Sequence, residues 1–173
     1  MASSLKRHLP EEREANFPYL TKDLYEVIDD GLGDYNCIAF AAGDKTRWWW
    51  PDPDGVYYWP IPKRESTVEC FVEAFESLRY EKCRGSLKKR GVEKVALYYD
   101  SVGCEATMEH PAVPPNSPTH AAKQAPDGMW HSKLGGWELI AHKTLECLNG
   151  TDITGSRISY GEPIQILERA LIG

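Results

Sequence analysis

The strongest hydrophobic pattern of the chain lies in residues 66–80, where apolar side chains recur at intervals of three and four. The apolar positions 68, 71, 72, 75 and 78 form one stripe of a helix. Ser66 and Glu69 have the spacing of a capping box, so the sequence predicts that the helix begins there. Residues 19–29 have apolar side chains at 20, 24, 27 and 28, which favours a short amphipathic helix or a turn.

The second half of the chain is dominated by strand patterns. KVALYY (94–99) is a strand by composition, and THAAKQ (119–124) and MWHSKL (129–134) flank the turn signal APDG, which predicts a hairpin. GEPIQILERAL supplies a last strand, and WELIAHKTLECL (137–148) is a second helix candidate. Helices followed by strands indicate an α+β fold with an antiparallel sheet.

Prolines divide these elements. Residues 48–62 contain prolines at 51, 53, 60 and 62, so we interpret them as a loop with a short extended piece at 56–59, called the Trp-rich loop below. Residues 100–118 are also loop-like.

A chain of 173 residues is long enough for one core. We therefore expect a flexible polar tail over 1–16 and a single domain over 17–173.

Composition narrows the classes of function. The net charge of −6 argues against nucleic-acid binding, and no stretch approaches the roughly 18 apolar residues of a membrane span. The N-terminus lacks the apolar region of a signal peptide, which predicts a cytoplasmic protein and leaves signal-less export open. Five cysteines without a CxxC pair favour neither a disulfide scaffold nor a zinc site. We expect no metal and no cofactor.

Cys37 is the candidate nucleophile. It follows Asp34 and Asn36, either of which could cap a short buried helix that Gly43 would end. A helix start stabilises a thiolate, and its free N–H groups can hold an oxyanion. The same pattern also suits a buried structural cysteine. Cys70 lies beside the apolar stripe of the helix and is predicted to be structural. Three further cysteines have no base nearby in sequence and are predicted to be inert: Cys83, Cys104 and Cys147.

The candidate base is a histidine on the predicted hairpin. His120 is flanked by small residues, which leaves room around its ring. His131 and Ser132 follow 11 and 12 positions later, and strand alternation allows only one of them to share the face of His120. Either could orient the ring of His120 or bind substrate. The other histidines lie in a tail, a proline-rich loop and a charged helix face: His8, His110 and His142.

These residues resemble a known arrangement. YNC at 35–37, a histidine on a later strand and a polar residue a dozen positions on are similar to the papain-like hydrolases, NlpC-type peptidases and amidases above all. The resemblance implies an N-terminal helix that carries the cysteine and packs on an antiparallel β-sheet, with Cys37, His120 and Ser132 as catalytic residues and His131 as the alternative third. NlpC-type enzymes commonly have His, Asn or Gln at the third position, where this chain has Ser132.

A second resemblance covers residues 17–170. The strings YNCIAFAAGD, RWWWPD and THAAKQ are similar to a family of uncharacterised bacterial domains that carries no established activity.

The papain-like resemblance implies a cysteine peptidase or amidase that cleaves an amide or related acyl bond in a peptide or other amide-containing substrate. The candidate substrate-binding residues are Tyr35, Asn36, Trp48, Trp49, Trp50 and Lys133. The tryptophans equally suit a loop that packs over the core, and Lys133 a structural turn. A delivered toxin or effector, opposed by a protein inhibitor or immunity protein, is one setting. The alternative is an inactive papain-like module for binding or immunity that uses the Trp-rich loop.

Overall fold

An antiparallel sheet forms the centre of the computed structural model, which describes residues 5–31, 33–103, 105–106, 108, 112–150 and 160–172. Among the described residues it has seven strands in the order β1-β6-β5-β4-β3-β7-β2. The strands are β1 Tyr25–Asp29, β2 Glu81–Cys83, β3 Val92–Asp100, β4 Ser117–Gln124, β5 Trp130–Lys133, β6 Leu139–His142 and β7 Glu162–Ala170. The helices are α1 Glu11–Glu14, α2 Cys37–Ala42, α3 Val68–Glu76 and a 3-10 turn at Glu146–Leu148. The predicted α+β class with an antiparallel sheet is confirmed.

The sheet is covered on both faces, as the alternation along β3 shows. Val95 and Leu97 face a core layer made by α2, α3 and the Trp-rich loop. Ala96 and Tyr98 face a second layer made by the N-terminal segment (residues 9–20), the 3-10 turn and Tyr160. Because both faces are buried, the strand is almost continuously apolar, which explains why composition alone identified it.

The amphipathic helix of residues 66–80 forms, with different ends. Its cap is Thr67, whose hydroxyl accepts a hydrogen bond from the main chain of Cys70 at 3.2 Å, so the predicted start at Ser66 is wrong by one residue. The expected stripe packs inward, with Phe71 and Phe75 fully buried. Burial of this stripe supplies most of the stability of a helix this short.

The helix predicted over 137–148 is wrong. Residues 139–142 form β6, which pairs with β5 on one side and β1 on the other, so its main chain is satisfied within the sheet. A run of four buried residues has no readable period, and burial on both faces removes the alternation that marks a strand. The helix option for residues 19–29 is also wrong, because Tyr25–Asp29 is β1, but the turn option holds at residues 22–24.

The N-terminal segment packs on the sheet from Leu9 onward. Leu9 and Phe17 are buried, and the main chain of Leu9 donates to the hydroxyl of Tyr25 at 2.9 Å. The main chain of Val27 donates to the carbonyl of Arg7 at 2.8 Å. Leu9, within the expected flexible tail of residues 1–16, therefore belongs to the second core layer, which the polar composition of this segment did not indicate.

Candidate active site around Cys37

The start of α2 is the local structure that positions Cys37. Asn36 is the cap: its side-chain oxygen accepts hydrogen bonds from the main chain of Ala39 at 3.1 Å and of Trp49 at 3.2 Å. Its amide nitrogen donates to the carbonyl of Trp49 at 2.8 Å. Gly43 ends the helix in the left-handed region, with φ 91°. The helix expected to begin at Cys37 is confirmed, and Asn36 rather than Asp34 caps it.

Replacing Asn36 by alanine is expected to lower the free energy of unfolding by about 2 kcal/mol. The change removes a cap and leaves buried main-chain groups of Trp49 without partners. Thr67→Ala is the matched control, because Thr67 caps α3 through one bond, and we expect a loss of about 1 kcal/mol there. Urea unfolding of both variants measures the difference; equal losses would contradict a second role for Asn36 in holding the Trp-rich loop.

The thiol of Cys37 is buried, with 5% of the residue exposed. Burial raises its pKa to about 11, although the main-chain N–H groups of Ala121, Ile38 and Cys37 itself and the ammonium of Lys133 all favour the thiolate. The helix start therefore acts as expected, and desolvation outweighs it. In this structure the resting thiol is neutral at neutral pH, so its activation requires a base.

His120 lies fully buried on β4 between two tyrosines. Its ring stacks on Tyr160 with centroids 4.0 Å apart and meets the ring of Tyr98 edge-on at 5.3 Å. Its Nε2 lies 2.9 Å from the hydroxyl oxygen of Ser132. Its Nδ1 has no hydrogen-bond partner among the residues that the structure describes. Burial lowers the pKa of His120 well below its ordinary value, so the ring is neutral.

A third residue, His142, extends this pair into a chain. The hydroxyl oxygen of Ser132 lies 2.8 Å from Nε2 of His142, and Nδ1 of His142 lies 2.8 Å from the carbonyl oxygen of Thr144. Burial lowers the pKa of His142 to about 4, so this ring is neutral too. Two neutral imidazoles and one hydroxyl therefore share a buried line of hydrogen bonds.

The proton positions along the chain follow from the carbonyl at its end. A carbonyl only accepts, so Nδ1 of His142 carries the hydrogen and its Nε2 is an acceptor. Ser132 therefore donates to His142 and accepts from the N–H at Nε2 of His120. This arrangement leaves a lone pair on Nδ1 of His120. We infer that this line of hydrogen bonds holds His120 in the tautomer whose Nδ1 can accept a proton.

Sequence reasoning missed His142, because it placed this residue on a charged helix face. A signal was available: Gly135 and Gly136 separate two short runs as a hairpin turn does. A strand after that turn would have placed His142 opposite Trp130, and the structure pairs these two residues. Cys147, predicted to lack a nearby base, lies with its sulfur 3.5 Å from Nδ1 of His142 and 3.0 Å from the carbonyl oxygen of Thr144.

Strand alternation separates the other hairpin candidates. Ser132 lies opposite Ile140 in the second core layer, on the same face as His120, which lies opposite Tyr98. His131 pairs with Lys123 and lies on the other face. The expectation that only one of the two residues shares the face of His120 is confirmed, and that residue is Ser132.

Cys37 and His120 approach β4 from different sides. Cys37 packs in the same core layer as Ala121, on the face covered by α2, and the main-chain N–H of Ala121 is one of the groups that favour its thiolate. Among the described residues, β4 and β5 pair only at Lys123–His131 and Gln124–Trp130. Beyond these pairs the two strands do not pair, and in this structure no hydrogen bond joins the sulfur of Cys37 to Nδ1 of His120.

A cleft of about 510 Å³ opens on Cys37. Its described lining residues are Asn36, Cys37, Trp48, Trp50, Tyr57, Thr119, Leu134, Gly135, Gly136, Trp137 and Tyr160. Tyr160 therefore joins the two halves of the site, since it lines the cleft and stacks on His120. A larger cleft of about 840 Å³ beside β2 and β7 has neither cysteine nor histidine in its described lining.

Three of the six predicted substrate-binding residues line the cleft, namely Asn36, Trp48 and Trp50, and three do not, namely Tyr35, Trp49 and Lys133. Trp48 and Trp50 line the cleft, whereas Trp49 is buried and its indole N–H donates to Asp44 at 2.8 Å. Tyr35 is buried beneath the ammonium of Lys133, which lies 4.8 Å from its ring. That ammonium also donates to the carbonyl of Gly135 at 2.7 Å.

Comparison with known proteins adds a family. Residues 26–168 match a family described as a domain of unknown function, DUF7689. The chain belongs to this family. No curated protein and no solved structure matches the DUF7689 chain. The matched range contains Cys37, His120, Ser132 and His142, and the family description assigns no activity to them.

Two further properties of the DUF7689 domain concern metals and membranes. Within the described ranges, no group of three or more His, Cys, Asp or Glu side chains is placed to hold a metal ion. Among the described helices, none is long and apolar enough to cross a bilayer. His110 and Cys104 lie outside the described residues.

Proposed function

We propose that this domain is a cysteine-dependent hydrolase with a papain-like arrangement, which transfers an acyl group from an amide or ester through Cys37 to water. One observation carries the proposal: the buried Nδ1 of His120 has no hydrogen-bond partner among the described residues, and Cys37 packs in the core layer of the next residue along β4, Ala121. An unpaired buried acceptor is costly, so its retention calls for a role.

The proposed reaction has two stages. Nδ1 of His120 takes the proton of the Cys37 thiol as the sulfur attacks the carbonyl carbon, and a C–S bond forms. The tetrahedral intermediate collapses, the bond to the leaving amine or alcohol breaks, and His120 protonates that group. Water then attacks the thioester with His120 as its base. The C–S bond breaks, the acid leaves, and the proton returns to the sulfur.

The hydrogen-bond chain supports the base during this cycle. When His120 is protonated, its Nε2–H still donates to Ser132, which still donates to His142. The buried imidazolium gains no counter-charge from these neutral partners, so it gives its proton up readily to the leaving group. Ser132 and His142 are therefore positioning residues, and the ammonium of Lys133 favours the thiolate.

The oxyanion is assigned to the main-chain N–H of Cys37, which lies at the start of α2. The side chain of Asn36 is committed to Ala39 and to both main-chain groups of Trp49. We therefore give Asn36 a structural task, to hold the Trp-rich loop against the nucleophile.

The test is to trap the acyl-enzyme. The protein is mixed with p-nitrophenyl butyrate, quenched in acid and mapped by mass spectrometry. We expect acylation at Cys37, slowed at least about a hundredfold by His120→Gln. Cys83→Ser is the control that keeps the wild-type rate, because Cys83 lies on the edge strand β2. Acylation at residues other than Cys37, or no acylation at all, would overturn the proposal of a hydrolase and favour the alternative of an inactive binding module.

A further inference from the structure

We infer that the acyl group taken by this site is uncharged and apolar, a medium-length aliphatic chain rather than a charged peptide. The inference rests on the proposed function, since it concerns the substrate of the same cleft. Its basis is the chemistry of the cleft wall: the described residues that line it are aromatic, aliphatic, glycine or neutral polar, apart from the thiol itself, and none carries a charge.

Four charged residues that flank the cleft form two ion pairs. The guanidinium of Arg13 pairs with Glu138 and covers the ring of Trp137 at 5.0 Å. Arg64 pairs with Asp52 at 3.3 Å. None of these four charged residues belongs to the lining. A carboxylate or ammonium on the acyl group would therefore be desolvated against neutral walls, which is strongly unfavourable.

The ammonium nearest the thiol is also engaged. Lys133 is fully buried; its Nζ donates to the carbonyl of Gly135 and lies over the ring of Tyr35. Lys133 is not among the lining residues. Its charge acts on the sulfur rather than on a bound acyl group.

The same walls favour an apolar chain. Trp48 lies against Tyr57 with ring centroids 6.3 Å apart, and Trp50 is braced edge-on by the core ring of Phe71 at 5.4 Å. Rigid aromatic side chains of this kind supply a large contact area at a low cost in conformational entropy. A cleft of about 510 Å³ is in the size range of small-molecule sites. It greatly exceeds the needs of an acetyl group.

One wall of the cleft has no side chains. Gly135 and Gly136 lie there, and a Cβ built at either position would meet no heavy atom within 4 Å. The space beside Leu134 and Trp137 is therefore open to a chain that extends from the thioester carbon.

The experiment compares three p-nitrophenyl esters on the full chain: the acetate, the octanoate and the C8 ester with a terminal carboxylate. A buried methylene adds about 0.8 kcal/mol, or about fourfold in affinity. We expect kcat/KM for the octanoate to exceed that for the acetate at least about tenfold. The carboxylated ester should fall at least about tenfold below the octanoate.

Two exposed positions provide a matched charge test. Tyr57→Arg places a cation in the cleft wall, and Val56→Arg places the same cation one residue away, outside the lining. We expect Tyr57→Arg alone to raise kcat/KM for the carboxylated ester relative to the octanoate, by about tenfold. Equal gains in both variants would show general electrostatic attraction and contradict a neutral cleft.

The outcomes separate this inference from the hydrolase itself. Cys37-dependent hydrolysis with no preference for the octanoate over either other ester would overturn the apolar acyl group and leave the hydrolase standing. Hydrolysis that survives Cys37→Ala, or is absent from the wild-type protein, would overturn both.

Discussion

Replacing Cys37 by alanine, or His120 by glutamine, is expected to lower kcat/KM for acyl hydrolysis at least about a thousandfold. The first change removes the atom that forms the thioester. The second removes the lone pair at Nδ1 that accepts the thiol proton, and with the pKa of Cys37 raised to about 11 there is little thiolate without a base. Steady-state hydrolysis of an activated ester measures both losses.

The double variant sharpens this result. Because the two residues act as one unit, Cys37→Ala combined with His120→Gln should be no slower than either single variant. Losses that multiply would contradict direct proton transfer between them. Far-ultraviolet circular dichroism of each variant separates lost chemistry from lost folding.

Ser132 and His142 provide a graded comparison. Ser132→Ala and His142→Gln should each lower kcat by about ten- to a hundredfold, because His120 keeps its lone pair but loses the partner that fixes its tautomer. A purely structural role would leave the pH profile of kcat/KM unchanged. We expect its acid limb to move in both variants, since the pKa of His120 depends on this chain.

The second large effect is the response of stability to acid. Burial lowers the pKa of His142 from 6.5 to about 4 and that of His120 further, so the folded protein binds fewer protons than the unfolded chain below pH 6.5. Stability contributed by the neutral rings is therefore present above about pH 6.5 and is lost as the pH falls toward 4. Each ring contributes a slope of at most about 1.4 kcal/mol per pH unit, so His142 alone accounts for about 3 kcal/mol.

Urea unfolding between pH 7 and 4 measures this slope. His142→Gln should reduce this slope and leave the part that His120 contributes, because glutamine does not titrate. Proton NMR of the imidazole Cε1–H signals gives an independent check: titration of either buried ring near pH 6.5 would contradict the prediction.

Local sequence patterns predicted the halves of the candidate site. Asn36, Cys37 and Gly43 lie within one short helix whose cap and end depend on near neighbours, so the pattern was readable. The hairpin that carries His120 and Ser132 was readable as well, because APDG separates two short runs. Strand alternation then limited the partner of His120 to one of two residues.

Patterns failed where a segment is buried on both sides. Leu139–His142 lies between two neighbouring strands of the sheet and is wholly buried, so it lacks alternation and its sequence resembles part of a helix. That error hid His142. In the Trp-rich loop, the sequence does not distinguish three adjacent tryptophans. Of the three, only Trp49 is buried: its indole N–H donates to Asp44 and its main-chain N–H donates to Asn36.

The sequence by itself determined the α+β class, the capped helix at Cys37 and the hairpin with His120, because these features depend on residues close along the chain. Only the tertiary structure decided the hydrogen-bond partners of His120, the burial that raises the pKa of the Cys37 thiol and the absence of charge among the described residues that line the cleft. These depend on burial and on the register between β4, β5 and β6, which brings residues 120, 132 and 142 into one line of hydrogen bonds. Desolvation and hydrogen-bond direction are properties of packed atoms, and no spacing along a chain specifies them.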